Sequence, residues 1–312
     1  MTHDVNTALL SRLGAACCLT DGGLETHLVF HEGLDLPQFA AFPLLRQEVG
    51  RRAMERYFNG FLDTAETLGL AFVLDTVTWR ASAGWGARME WSAKDIDAVN
   101  REAVDFAKGL QVGRAGMVLV NGIVGPHGDA YRPDEVLTPA AAEAYHSRQI
   151  TVLAEAGVDL VTAMTISTTG EAIGVAEAAR KAGVPVVLSF TVETDGRLLG
   201  GLALAEAIAQ TDAATGSYPV WYGINCAHPD HFAATLVGDH VERIGLVRAN
   251  ASRLSHAELD EATALDDGDP EQLARDYARL RQSLPRLRVL GGCCGTDLRH
   301  VSAIGRDMAH RH

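Results

Sequence analysis

Five cysteines are the residues of this sequence best suited to chemistry, and they fall in three places. Cys17 and Cys18 are adjacent near the start, Cys226 stands alone in GINCAHPDHF, and Cys293 and Cys294 are adjacent in GGCCGTD. An odd number in this arrangement does not form the framework of a secreted, disulfide-rich domain. The pattern therefore favours metal ligands or reactive thiols in a reducing compartment.

Three of these cysteines, Cys226, Cys293 and Cys294, are candidates to bind one metal ion. Zinc prefers tetrahedral sulfur and nitrogen ligands, and three protein ligands with one open position are typical of a catalytic zinc. The neighbouring Gly291, Gly292 and Gly295 would let the backbone turn both adjacent sulfurs towards one ion. Two other interpretations stay open at this point, namely buried thiols that pack like small hydrophobic side chains and a vicinal disulfide that acts as a redox switch.

The elements that position these cysteines follow one repeating pattern along the whole chain. Short apolar runs rich in Val, Ile and Leu alternate with longer Ala-rich runs of helical period. The predicted strands cover residues 15–21, 71–77, 117–124, 159–165, 184–190, 220–226, 243–249 and 287–292. The predicted helices between them include 46–69, 94–112, 138–156, 170–182, 201–214 and 270–283.

Unbroken apolar strands separated by amphipathic helices are typical of a parallel sheet that is covered on both faces. Eight such units predict a single α/β domain over residues 1–312, a (β/α)8 TIM barrel. An open doubly wound sheet is the alternative. It would ordinarily bring a nucleotide-binding loop, and the glycines of GIVGPHGD do not have the dinucleotide-binding spacing.

The charge balance excludes some classes of partner. The chain has 27 Lys and Arg against 40 Asp and Glu, a formal net charge of −13, without a basic run. Grooves for nucleic acid and anionic membrane surfaces both need clustered basic residues, so we predict neither partner. The sequence also has no apolar stretch of membrane-spanning length and no basic, signal-like start, which predicts a cytoplasmic location. No oligomeric state is predicted.

Three motifs together resemble the zinc-dependent homocysteine S-methyltransferases, whose members use S-methylmethionine, betaine or methylcobalamin. They are DGGLETHL near the start, GINC at the sixth predicted strand and GGCCGT at the eighth, and the similarity runs from about Cys18 to the C-terminus. The segments YHSRQITVLAEAGVDL, SFTVETDGRL and RANAS fall at similar spacings. The resemblance implies a barrel enzyme whose Zn²⁺ is held by Cys226, Cys293 and Cys294, with the acceptor thiol as the fourth ligand.

The resemblance also implies the reaction, which is methyl transfer from a small sulfonium or ammonium donor to homocysteine, giving methionine. S-methylmethionine is the favoured donor, followed by betaine or another sulfonium, with S-adenosylmethionine as a further candidate. Aromatic faces bind such cations, and Trp79, Trp221 and Tyr222 are the candidates. Both substrates are small molecules, and no catalytic side chain is predicted beyond the metal site.

The candidate substrate-binding residues come from the first motif and from the predicted strand ends, where barrel enzymes gather their active-site groups. They are Asp21, Gly22, Gly23, Glu25, Thr76, Glu193 and Asn250. Met164 stands where the family usually has a Glu for the amino group of homocysteine, and Glu193 or Glu25 is a candidate to supply that charge. Phe39 stands where relatives often have a Trp. The alternatives are therefore a different thiol or selenol acceptor and a non-catalytic, redox-sensing barrel.

Overall fold

Eight parallel strands close into one barrel in the computed structural model, which describes residues 2–131, 135–262 and 264–309. Each strand pairs with the next along the chain, and the last pairs with the first. The strands are β1 (Cys18–Leu19), β2 (Ala71–Asp75), β3 (Val118–Val124), β4 (Leu160–Ile166), β5 (Val186–Phe190), β6 (Trp221–Asn225), β7 (Ile244–Ala249) and β8 (Val289–Gly292). The predicted TIM barrel is confirmed, and the open sheet is wrong.

Helices connect the strands and form the outer layer of the barrel. They are α1 (Thr2–Leu13), α2 (Leu24–Phe30), α3 (Glu48–Thr67), α4 (Ala83–Arg88), α5 (Ala93–Gln111), α6 (Pro139–Glu155), α7 (Thr169–Ala182), α8 (Leu204–Thr215), α9 (Pro229–Phe232), α10 (His256–Asp260), α11 (Pro270–Ser283) and α12 (Leu298–Ala309). All six helices predicted from the sequence are present, within a few residues of the predicted bounds. No helix in the described part of the chain is long and apolar enough to cross a membrane.

Local sequence signals set the ends of these helices. The hydroxyl of Thr138 accepts a hydrogen bond from the Ala141 N–H at the start of α6, directly before a proline in the first turn. Helices α7 and α8 end at Gly183 and Gly216, whose left-handed φ angles of 68° and 56° suit glycine. The helix ends therefore place the strands that follow them.

The barrel holds two apolar layers because alternate strand residues point inwards and outwards. In β2, for example, Val73 packs in the barrel interior, whereas Phe72 and Leu74 pack beneath the helices. Leu9 and Leu13 of α1 join the interior cluster, so this helix covers the N-terminal end of the barrel. The interior is thus filled from below, and the open space lies at the C-terminal ends of the strands.

Candidate active site and metal centre

A cavity of about 510 Å³ opens at the C-terminal ends of the strands. Six of the seven predicted substrate-binding residues line it, and they are Asp21, Gly22, Gly23, Glu25, Thr76 and Asn250. The seventh, Glu193, is not among the described residues of the cavity wall. It lies in a turn after β5, where its backbone N–H donates to the Arg197 carbonyl oxygen at 2.8 Å. This turn keeps Glu193 apart from the other six residues.

The three cysteines predicted to bind metal lie together on the cavity wall. Their sulfur atoms are all within 4.8 Å of one another, although Cys226 is 67 residues from Cys293 in the chain. Cys226 and Cys293 form a disulfide, with Cα atoms 5.4 Å apart, and Cys294 lies outside it. The bonded pair in this structure therefore joins the end of β6 to the end of β8, rather than the adjacent Cys293 and Cys294.

The end of β7 holds both cysteine-bearing segments by backbone hydrogen bonds. The Cys226 N–H donates to the Arg248 carbonyl at 3.1 Å, and the Cys293 N–H donates to the Ala249 carbonyl at 2.8 Å. Cys226 itself has a φ of 55°, in the left-handed region that non-glycine residues rarely adopt. The Asn250 side-chain amide donates to the Cys226 carbonyl at 3.0 Å and helps to hold this unusual backbone. Such strain is typical of functional sites.

The DGG segment after β1 packs directly against the turn that carries Cys293. The Gly23 N–H donates to the Thr296 carbonyl at 3.0 Å, and a Cβ on Gly23 would lie 2.6 Å from the Cys293 carbonyl oxygen. Only a glycine allows this close approach of the two backbones. The two glycine-rich motifs are thus one packed unit, which brings Glu25 to the same cavity as the cysteines.

The three clustered cysteine sulfurs could hold a metal ion, and their spacing can be compared with that of a zinc site. Tetrahedral zinc with Zn–S bonds of about 2.3 Å requires sulfurs about 3.8 Å apart, a spacing that fits within the observed 4.8 Å. The Cys226–Cys293 disulfide uses two of the three sulfurs, so the disulfide must be reduced before all three can act as ligands. Cys293 and Cys294 are half-buried and line the cavity, which leaves an open side for a further ligand.

The other two cysteines lie away from this cluster. Cys18 is fully buried in β1, and burial raises the pKa of its thiol to about 12. Cys17 packs against the core from a half-buried position. Packing is therefore the role that the structure supports for Cys18.

A buried arginine on the cavity wall links the ends of β2, β7 and β8 to the DGG segment that follows β1, and the sequence analysis did not identify it. Arg248 of β7 donates from Nη2 to the Asp21 carboxylate at 2.6 Å and from Nη1 to the Asp75 carboxylate. It also donates to the Gly22 and Gly292 carbonyls, each at 2.9 Å. Burial and the neighbouring Asp21 raise the pKa of Asp75 to about 7, against the opposing effect of Arg248. A charged residue in the apolar run RIGLVRA is the signal that could have revealed this network.

The remaining predicted polar groups of the cavity differ in whether other protein groups already form hydrogen bonds with them. The Thr76 hydroxyl accepts from the Ile123 N–H at 3.0 Å and shares a hydrogen bond with the Thr78 hydroxyl at 2.7 Å. The Asn250 side-chain oxygen is buried and has no hydrogen-bond partner among the described residues. Burial raises the pKa of Glu25 to about 7. Thr76 thus supports the wall, whereas Asn250 and Glu25 have capacity for a ligand.

Of the aromatic residues proposed from the sequence, one lines the cavity. Trp79 contributes to the wall, together with Phe39. Trp221 packs in the barrel interior below the cavity, and Tyr222 points outwards, where its hydroxyl donates to Asp212 at 2.8 Å. Trp221 and Tyr222 are therefore core residues. Both lie within β6, and strand periodicity alone does not distinguish an interior residue from one at the cavity floor.

The sequence model of one protein family, described as "Homocysteine S-methyltransferase", matches residues 18–308, which is most of the chain. The chain belongs to the homocysteine S-methyltransferase family. The predicted enzyme class is thereby confirmed, and the match covers the DGG motif and all three clustered cysteines. Among curated proteins, none matches this sequence.

Solved structures of one family member are similar to this fold. The oxidized form of the homocysteine methyltransferase MmuM from Escherichia coli is 23% identical, with a TM-score of 0.76 over 96% of this chain and 99% of that one. Its metallated form is also 23% identical, with a TM-score of 0.74 over 97% and 99%. Its apo form is 22% identical, with a TM-score of 0.67 over 96% and 99%. At this identity, the likeness establishes the barrel fold.

Proposed function

We propose that this member of the family transfers a methyl group from a small sulfonium or ammonium donor to homocysteine, giving methionine, with S-methylmethionine as the favoured donor. One observation carries the proposal, which is the convergence of three cysteine sulfurs within 4.8 Å on the wall of a large cavity. The similar MmuM is described as a homocysteine methyltransferase with a metallated form. A cavity of about 510 Å³ is within the usual range for small-molecule sites.

Cys226, Cys293 and Cys294 are the residues we propose to hold Zn²⁺ as thiolates. When bound, zinc would keep an acceptor thiol deprotonated and nucleophilic at neutral pH. Asn250 holds the Cys226 carbonyl, and the DGG segment fixes the position of Cys293. These contacts would keep the ligands in place while the acceptor sulfur enters from the cavity.

The proposed donor is a cation, and the cavity wall offers surfaces that suit one. Phe30, Phe39, Phe58, Trp79 and Tyr131 all contribute to the wall. Aromatic faces attract a sulfonium or quaternary ammonium group, and the attraction strengthens when water is excluded. This lining supports S-methylmethionine as the donor. The next candidates are betaine, which is a quaternary ammonium compound, and a different sulfonium.

Replacing one cysteine tests the proposal. We expect Cys294→Ser to lower zinc content and to reduce methyl transfer to homocysteine by about 100-fold or more, because a neutral hydroxyl replaces a thiolate ligand. Cys17→Ser is the matched control, since Cys17 lies outside the cluster. Zinc is measured by plasma mass spectrometry on reduced protein. Wild-type zinc content and wild-type transfer in Cys294→Ser would rule out the proposed site.

Two observations favour other candidates that the same cavity could serve. Met164 lines the cavity where a carboxylate would suit homocysteine, which favours a different thiol or selenol acceptor. The Cys226–Cys293 disulfide favours a redox-sensing barrel. Thiol counting after mild peroxide treatment tests the redox candidate, which requires rapid and reversible loss of two thiols without any methyl transfer.

We also propose a cytoplasmic location. Three thiolates can hold zinc only if Cys226 and Cys293 are reduced, and reduced thiols persist in that compartment.

A further inference from the structure

The charged groups of the cavity wall differ in whether other protein groups neutralise them. Asp21 and Asp75 share the guanidinium of Arg248. Asp266 accepts from the Ser252 hydroxyl at 2.6 Å and from the Gly268 N–H at 3.2 Å. These carboxylates are already engaged within the protein. They leave little capacity for a charged ligand.

Glu25 is different from these carboxylates. It lies in the first turn of α2 and lines the cavity. No described residue forms a salt bridge with its carboxylate or donates a side-chain hydrogen bond to it. Burial raises the pKa of Glu25, and the nearby guanidinium groups of Arg248 and Arg80 oppose that rise through space, although neither lies within the 4.0 Å of an ion pair. Glu25 is half-buried on the cavity wall, and its carboxylate is therefore available to a cationic group of a ligand.

Arg80 is the complementary group on the same wall. Its guanidinium carbon lies 4.7 Å from the centroid of the Trp79 ring and 3.9 Å from that of Trp85, which fixes the orientation of the side chain. One terminal nitrogen donates to the Gln38 carbonyl, and the buried Nε has no partner among the described residues. Within the described part of the chain, no carboxylate forms a salt bridge with Arg80. A guanidinium in this state suits a ligand carboxylate.

We propose that Glu25 binds the ammonium group and Arg80 binds the carboxylate group of an α-amino acid acceptor, while its thiol reaches the cysteine cluster. Burial lowers the pKa of Arg80, and the nearby carboxylates of Asp129 and Glu25, both on the cavity wall, oppose this through space without an ion pair to Arg80 among the described residues. An ammonium and a carboxylate on one carbon atom would occupy the gap between them. Glu25 thereby supplies on α2 the negative charge that Met164 does not supply on β4. This inference rests on the proposed function and specifies how its acceptor is recognised.

Acceptor analogues that lack one charged group test the two residues separately. We would measure binding by calorimetry on reduced, zinc-loaded protein without any donor, using L-homocysteine, 4-mercaptobutanoate, which lacks the ammonium, and 3-mercaptopropylamine, which lacks the carboxylate. Wild-type protein should bind L-homocysteine about 10- to 100-fold more tightly than either analogue, the range for a charge-assisted hydrogen bond.

The variants should lose this selectivity in opposite ways. Glu25→Gln should bind L-homocysteine and 4-mercaptobutanoate about equally and still disfavour 3-mercaptopropylamine. Arg80→Gln should show the reverse pattern, and Arg80→Lys should keep part of the wild-type preference because it keeps the charge. Glu193→Gln and Arg253→Gln are matched controls outside the cavity wall and should behave like wild type.

Three results would overturn the inference in distinguishable ways. Wild-type selectivity in both Glu25→Gln and Arg80→Gln would show that the pair does not recognise the acceptor. A rise in the KM of S-methylmethionine, with that of L-homocysteine unchanged, would assign the pair to the donor. If wild-type protein binds none of the three thiols and methylates none of them, the proposed function itself is wrong, and this inference is wrong with it.

Discussion

Replacing Arg248 with methionine should severely destabilise the barrel. The side chains of Arg248, Asp21 and Asp75 are only 9%, 3% and 8% exposed, so the two carboxylates depend on this guanidinium for compensation. Methionine keeps much of the volume but offers no donor. Arg248→Met would leave two buried acidic groups unpaired and the Gly22 and Gly292 carbonyls without their side-chain donor.

The expected loss follows from the geometry. Breaking a buried ion pair by removing one partner typically destabilises a protein by about 3–5 kcal/mol, because the remaining charge is uncompensated. Arg248 serves two such pairs, so we expect a loss in the upper part of that range, a large fraction of the 5–15 kcal/mol typical of a native protein. The loss should be smaller at pH 5.5 than at pH 8. Without Arg248 the pKa of Asp75 rises further, and protonation at low pH removes its buried charge.

Urea denaturation followed by tryptophan fluorescence measures this loss, and a double-mutant cycle with Asp75→Asn separates the ion pair from other effects. The double variant should be more stable than the sum of the single effects predicts, by about 1 kcal/mol or more. Arg248→Lys should fall between wild type and Arg248→Met. A loss below about 1 kcal/mol for Arg248→Met, or strict additivity in the cycle, would refute the reasoning.

Three further predictions concern the cavity. Gly23→Ala should destabilise the protein by about 1–3 kcal/mol and weaken zinc binding, because its Cβ would lie 2.6 Å from the Cys293 carbonyl oxygen. Gly109→Ala, on a helix with open space around it, should instead be neutral or stabilising in the same urea titration. Met164→Glu should not improve kcat/KM for L-homocysteine, since Glu25 already supplies the negative charge; a gain of about tenfold or more would indicate a different native acceptor. Asp75→Asn should remove part of the pH dependence of the free energy of unfolding. Burial raises the folded-state pKa of Asp75 to about 7, above its ordinary value of 3.8, so wild type should lose stability relative to this variant as pH rises from 5 to 7. Equal pH slopes of the two proteins would contradict this assignment.

Periodicity was sufficient to predict the barrel, because eight apolar runs separated by helical runs leave few other architectures. It did not predict α1 or α12, which lie outside the predicted repeats. Residues 15–21 were predicted as the first strand, but only Cys18–Leu19 pair as one. The DGG segment instead leaves the sheet to pack against the turn at Cys293.

The site residues that belong to sequence motifs could be predicted. Those that depend on contacts between distant segments of the chain were harder to predict. Residue types and a family resemblance were enough to select three cysteines whose sulfurs the structure brings together. The pairing of Cys226 with Cys293 depends on the approach of β6 and β8, which sequence spacing does not report. Arg248 was missed because it lies within a predicted strand, and Glu193 was selected because the turn after β5 was not anticipated.

Zinc-edge X-ray absorption on reduced, zinc-loaded protein, with and without L-homocysteine, tests the central claim most directly. The account predicts a shell of about three sulfur atoms that increases to about four when L-homocysteine is added. A sulfur shell that stays at about three would contradict homocysteine as the acceptor thiol. Failure of the protein to hold zinc through its cysteines would contradict the metal site itself.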